Sequence, residues 1–259
     1  MAAPTVQART TGNTSADAHT YTVTLPGSIA AGERLLAFVS LDKVDQLVID
    51  EDYSGKKWEL AKFGSHSTYL SYAVLTKVAE GSDQLRLRMW SHQRGSHVSF
   101  RIDAANCVVV SSVATANSTN SDPPNLSLGL GSPTAEVLWI ASRHGNGTTV
   151  ATGAPAGYGN LQTQAGDSAN GASTNTAEKT ATADSEDPGT FTSASEQWAA
   201  LTVAVFNHNE GRARVTQQVA EVVSNTDPAL RLSQLVVEVV SAGTATPPAT
   251  TGGMLVIAT

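Results

Sequence analysis

Few side chains in this sequence are spaced to do chemistry, and each such group has a competing structural explanation. His92 and His97 flank Arg94-Gly95, and two imidazoles brought together by a tight loop would supply two corners of a metal site. Neither has a third ligand nearby in sequence, so solvated loop histidines are expected and no metal ligand is assigned. Asp50-Glu51-Asp52, preceded by Asp42 and Asp45, offers the hard oxygens that calcium takes, but the spacing is not that of an EF-hand and reads as a charged turn. Nucleophilic catalysis needs a serine or cysteine beside a base, and no G-x-S-x-G elbow occurs. Cys107 is the only cysteine and lies in the apolar run Cys107-Val108-Val109-Val110, which excludes an internal disulfide and points to a buried thiol. Gly145-Asn146-Gly147 and Gly157-Tyr158-Gly159 lack the helix and lysine of a phosphate cradle and read as turns. No catalytic, cofactor-binding or metal residue is therefore assigned, and no enzyme activity is expected.

Aromatic residues raise a different chemistry, because a sugar-binding face uses an exposed ring as an apolar platform with polar groups around it. Trp139 and Trp198 sit in apolar runs and are expected in the core, whereas Trp58, Trp90 and Tyr158 adjoin Gly, Ser and Lys and are the candidates for exposure. Their spacing does not converge on one site. Four N-x-S/T triplets, beginning at Asn13, Asn117, Asn125 and Asn146, carry no weight without an export signal.

The elements that must position these residues are strands. With 15% charged residues, 41% hydrophobic residues and heavy Thr, Ser, Ala and Gly usage, the chain of 259 residues is poor material for long solvated helices. Apolar and polar residues alternate instead, as in Thr20-Tyr21-Thr22-Val23-Thr24-Leu25, the sign of a strand with one buried face. About ten strands are expected, over residues 20–25, 35–41, 46–49, 58–63, 70–78, 85–89, 98–102, 107–113, 126–130, 137–141 and 198–206. Leu85, Leu87 and Met89 are expected to face Val98, Phe100 and Ile102 across a β-hairpin. Residues 153–195 hold almost no large apolar side chain and read as low-complexity surface, either a long mobile loop or, with Asp187-Pro188-Gly189 a tight turn before the final strand, an ordered irregular excursion. The fold class expected is all-β, an antiparallel β-sandwich of jelly-roll type, over residues 1–207.

Residues 208–259 form a second region. Arg214-Val-Thr-Gln217-Gln-Val219-Ala-Glu221-Val222-Val223-Ser224 returns 17 residues later as Arg231-Leu-Ser-Gln234-Leu-Val236-Val-Glu238-Val239-Val240-Ser241, with seven of eleven positions identical. Each unit is rich in β-branched residues and the link Asn225-Thr226-Asp227-Pro228 is a turn, so an extended C-terminal β arm is expected. Two such strands alone are marginal in water and need a surface to cover them. Arg214, Gln217, Val219, Glu221, Arg231, Gln234, Val236 and Glu238 are the residues expected to make that contact, as an assembly arm.

Three further stretches have a recognisable character. Leu25-Pro26-Gly27-Ser28-Ile29-Ala30-Ala31-Gly32-Glu33-Arg34-Leu35-Leu36, Thr76 to Gly81, and Asp187-Pro188-Gly189-Thr190-Phe191-Thr192 followed by Trp198-Ala199-Ala200 resemble a β-sandwich domain of tailed-bacteriophage structural proteins. The repeat over residues 214–240 is similar to C-terminal repeats of phage tail and virion proteins. The resemblance implies a virion component of head, neck, tail or fibre, partnered by other virion proteins and by copies of itself. It carries no catalytic motif and no cofactor. A net charge of -7 with no Lys/Arg cluster argues against nucleic acid, and no apolar run approaches the ~20 residues of a membrane span. Met1-Ala2-Ala3-Pro4-Thr5 lacks the start of a secretory signal, so assembly in a bacterial cytoplasm is expected. The alternative class is a receptor- or glycan-binding module, in which the sandwich contacts a host surface.

Overall fold

Alternating β-branched and aromatic residues build eight strands in the first half of the chain: β1 (Val6–Asn13), β2 (Ala18–Val23), β3 (Arg34–Leu41), β4 (Leu47–Asp50), β5 (Glu59–His66), β6 (Leu70–Val78), β7 (Leu85–Gln93) and β8 (Gly95–Ile102). Eight more follow: β9 (Cys107–Val110), β10 (Ala114–Ser118), β11 (Leu126–Ser127), β12 (Val137–Asn146), β13 (Gly159–Gln164), β14 (Ala172–Ala181), β15 (Ser185–Glu186) and β16 (Glu196–Phe206). The computed structural model describes residues 3–14, 16–43, 47–50, 57–103, 105–130, 136–167 and 171–207. Among these residues there is no helix and every strand pair is antiparallel, so the all-β reading holds.

Two large sheets carry the core. The first has the order β1-β8-β3-β6-β5; the second runs β10-β16-β12-β14-β13, with β9 also paired to β16. Their facing sides share one cluster, in which Leu36, Phe38, Val74, Val98 and Phe100 meet Leu138, Ile140, Leu201, Val203 and Val205. The outer side of the first sheet is covered by a smaller sheet, β2-β7-β4, through Tyr21, Val23, Leu85, Leu87 and Met89. The outer side of the second is covered by the short pair β11-β15 and its loops, through Leu126, Tyr158 and Phe191 packed on Trp139 and Ala141. β3 and β12 are thus buried on both sides, which explains why they contain apolar runs among the longest of the sequence.

Three expectations fail here. β7 and β8 are not a hairpin: Arg94 alone separates them, yet β7 joins the covering sheet and β8 pairs with β1 and β3 in the sheet beneath. Leu85, Leu87 and Met89 are buried as expected, but in a different cluster from Val98, Phe100 and Ile102. The crossing is held by Asp42, whose amide donates to the Arg94 carbonyl at 3.0 Å and whose carboxylate accepts the Arg94 amide at 2.9 Å. Gly95 is needed at the corner, since a Cβ there would lie 2.9 Å from Leu41 and 3.0 Å from the Ser40 carbonyl. Nor are residues 153–195 low-complexity surface. They contain β13, β14 and β15, and β14 pairs with β12 along its whole length with Ala172, Ser173, Thr174, Asn175, Thr176 and Ala177 all buried. Small and hydroxyl side chains form this interior because neighbouring strands satisfy them, so no apolar period marks it. Cys107, finally, is only partly buried at the start of an edge strand.

Candidate functional site

The polar residues that could act chemically divide into a sealed set and an exposed set. His97 is sealed. Its ring accepts the Thr24 amide at Nε2, 3.1 Å away, which fixes the proton on Nδ1 facing the Tyr21 hydroxyl; that hydroxyl donates onward to the Gly12 carbonyl at 3.2 Å. Burial pushes the His97 pKa down to about 4, so the imidazole is neutral with both nitrogens engaged. Gly12 leaves room for the ring, since a Cβ there would come within 2.6 Å of it. His92 is on the exposed side and lies against His19 instead, the rings tilted by 42° with centroids 3.9 Å apart. The structure does not bring the two loop histidines together, and among the described residues no group of three metal-ligating side chains forms.

Between the two large sheets, Ser40 Oγ lies 2.8 Å from His144 Nδ1 and 2.7 Å from Thr174 Oγ1, and donates to the Ser173 carbonyl at 2.9 Å. Ser96 Oγ joins the network at 2.7 Å from Thr174 Oγ1. A serine beside a histidine is the pair that nucleophilic catalysis uses. Here both are fully buried, and burial with the neighbouring Arg143 charge pushes His144 to about 3, leaving a neutral ring that no substrate can reach. The network ties β3, β8, β12 and β14 together across the apolar core. Sequence spacing could not reveal it, because Ser40 and His144 are far apart in the chain; the one local sign is Ser142-Arg143-His144 interrupting an apolar strand.

On the outer side of β12, the fully buried Arg143 guanidinium pairs with the Glu196 carboxylate and donates to the Thr149 carbonyl at 3.3 Å. Burial raises Glu196 to about 7 against the opposing pull of Arg143. Gly145 makes room for the pair, since a Cβ there would overlap Glu196 Oε1 and approach Ser173 Oγ to 2.6 Å. Asp42 and Asp50 likewise serve structure: Asp42 holds the β7–β8 crossing, and Asp50 pairs with Arg86 at 3.3 Å and Arg88 at 3.5 Å. Asp45, Glu51 and Asp52 lie outside the described residues.

The exposed set gathers on the outer face of β2-β7-β4. Even-numbered positions of β7 point outward there, opposite to Leu85, Leu87 and Met89. Trp90 is 82% exposed. Beside it run Arg86 and Arg88, opposite Thr22 and Thr20 on β2 and Asp50 and Val48 on β4, with the tilted His19–His92 pair at one end. An open ring with guanidinium forks and hydroxyls around it can take the apolar face of a sugar and bond its hydroxyls. Of the three aromatics expected to be exposed, only Trp90 is. Trp58 is buried and donates its indole N–H to the Gln84 carbonyl at 2.7 Å, and Tyr158 is buried beneath the second sheet's covering layer; Trp139 and Trp198 are in the core as expected.

A shallow groove of about 300 Å³ lies beside this sheet, lined by Val23, Leu25, Pro26, Ile29 and Asp83. Its carboxylate is already engaged. Burial raises the Asp83 pKa, but Lys77 at 2.8 Å and the Glu80 and Gly81 amides outweigh that and hold it low. The assembly-arm residues Arg214, Gln217, Val219, Glu221, Arg231, Gln234, Val236 and Glu238 lie outside the described residues. Comparison of the chain with protein-family models, with curated proteins and with solved structures finds no match.

Proposed function

We propose that this protein is a non-enzymatic structural component of a bacteriophage particle, a tail, neck or head-surface protein that joins other virion proteins and copies of itself through residues 208–259. The observation that carries the reading is the tandem repeat over residues 214–241, whose apolar and charged side chains need a covering surface. The buried Ser40–His144 and Arg143–Glu196 groups support it, being spent on holding strands together. On this reading the two facing sheets form a β-sandwich, and each half of the domain follows the jelly-roll order in which first strand pairs with last and second with next-to-last. Truncation after Asn209 tests the function: the shortened protein is expected to keep its β signature in circular dichroism yet drop out of particles or oligomers. Unchanged incorporation would remove the arm from the account.

A second reading is favoured by Trp90, namely a host-surface glycan held on the β2-β7-β4 face. Trp90→Ala is expected to abolish retention on host polysaccharide while leaving the thermal midpoint within a degree or two, because so exposed a ring contributes little to folding. Equal retention of both proteins on a glycan array would dismiss this face as a sugar site.

A further inference from the structure

The two large sheets obey one strand order. In the first half of the domain the opening strand β1 is an edge, followed by the closing strand β8, then β3, β6 and β5. In the second half the opening strand, divided into β9 and β10, is an edge, followed by the closing strand β16, then β12, β14 and β13. The covering layers correspond too: β2 pairs with the next-to-last strand β7, and β11 with the next-to-last strand β15. The break between β9 and β10 is a local irregularity of a single edge, since Ser111 bonds Thr202 of β16 in both directions, each at 2.9 Å. In both halves the first residues lie against the last, Val6 opposite Ile102 and Cys107 opposite Phe206.

The way the halves touch is also reciprocal. β1 meets β13 and β5 meets β9, so each opening edge adjoins the other half's far edge. β8 meets β14 as β6 meets β16; β3 meets β14 as β6 meets β12; β3 and β12 meet each other. Exchanging the halves leaves this set of contacts unchanged, which is the property of an isologous interface about a twofold axis.

We infer that the domain is a covalently joined pair of one jelly-roll motif, present as residues 6–102 and again as 107–206, and that the motif's inner face is a self-recognition surface whose partner is a second copy of the same motif. Each copy has an outer core of its own, one under β2-β7-β4 and one under β11-β15. The inner cluster belongs to neither copy alone. β4 is the one strand of the first copy without a counterpart among the described residues of the second.

The test uses the whole chain with a specific protease sequence inserted at position 104, in the connector whose next two carbonyls are gripped by Arg34. After cleavage the two fragments are expected to co-elute at the size of the uncut protein and to give a one-to-one pair in native mass spectrometry. Ile140→Glu places a charge on the inner face of the second copy alone. The cut variant is then expected to release the N-terminal fragment, which pairs with itself because its own inner face is intact, while Trp90→Ala on the outer layer leaves the fragments together. Separating the unsubstituted fragments in denaturant and refolding the first by itself gives the same reading without relying on the variant. A first fragment that is monomeric or unfolded, or fragments of the Ile140→Glu protein that stay paired, would overturn the inference.

Discussion

Two neutral histidines make this protein sensitive to acid. Both His97 and His144 are held far below the ordinary imidazole value of 6.5, at about 4 and about 3, chiefly by burial. At these two rings the unfolded chain therefore binds more protons than the folded one between pH 6.5 and these values, so their contribution is full above pH 6.5 and falls as pH drops toward 4 and below, while Glu196, raised to about 7, gains stability on protonation and offsets part of the loss. At ~1.4 kcal/mol per unit, His97 alone removes about 3 kcal/mol by pH 4. Urea unfolding at pH 7, 5.5 and 4.5 is expected to show a falling midpoint, and His97→Gln to flatten part of that fall. A midpoint independent of pH over this range in the Glu196→Gln protein, where the opposing titration is gone, would show that neither ring is buried neutral.

At the level of elements, the crossing at Arg94 decides which residues share a core. Phe100 packs edge-on against Phe38 in the inner cluster with ring centroids 5.8 Å apart, whereas Leu87 lies in the outer cluster on the other side of the first sheet. Phe100→Ala and Leu87→Ala should each cost about 3 kcal/mol, and Arg86→Ala, on the exposed face, well under 1 kcal/mol. Because the two core residues have no common cluster, the double variant is expected to lose the sum of the single losses to within about 0.5 kcal/mol. Strong coupling in that cycle would restore the hairpin. The strands that the sequence marked well, β3, β6, β7, β8, β12 and β16, are those whose large apolar residues alternate or run unbroken. β14 was hidden because Ser173, Thr174 and Asn175 are buried by bonding to Arg143, Ser96 and Ala151 rather than by apolar character. β1 was hidden because an edge strand of Gln, Arg, Thr and Asn needs only one paired side. Of the exposed site, Trp90 was legible from its polar neighbours, but its company of Arg86, Arg88, His19 and His92 depends on pairings across sheets.

For the molecule as a whole, the duplicated order places the domain's stability in three cores, with the inner one dependent on both halves. Substitutions beneath the covering layers loosen one half, whereas substitutions in the inner cluster act on both. The closing of each half by its own last strand also has a consequence in time. During synthesis the first half can fold as soon as Ile102 has emerged, since Val6 then has its partner. The side of its sheet carrying Leu36, Phe38 and Phe100 is not fully covered until β16 arrives, about a hundred residues later. At about 5 to 20 residues per second this is roughly 5 to 20 s of exposed apolar surface on the ribosome. Chains stalled near residue 140, with Ile102 just clear of the exit tunnel, are therefore expected to crosslink to a holdase chaperone, or to a neighbouring nascent copy on the same polysome, and chains stalled well beyond Phe206 to lose those crosslinks. Equal crosslinking at both lengths would mean that the first half waits for the second before it forms.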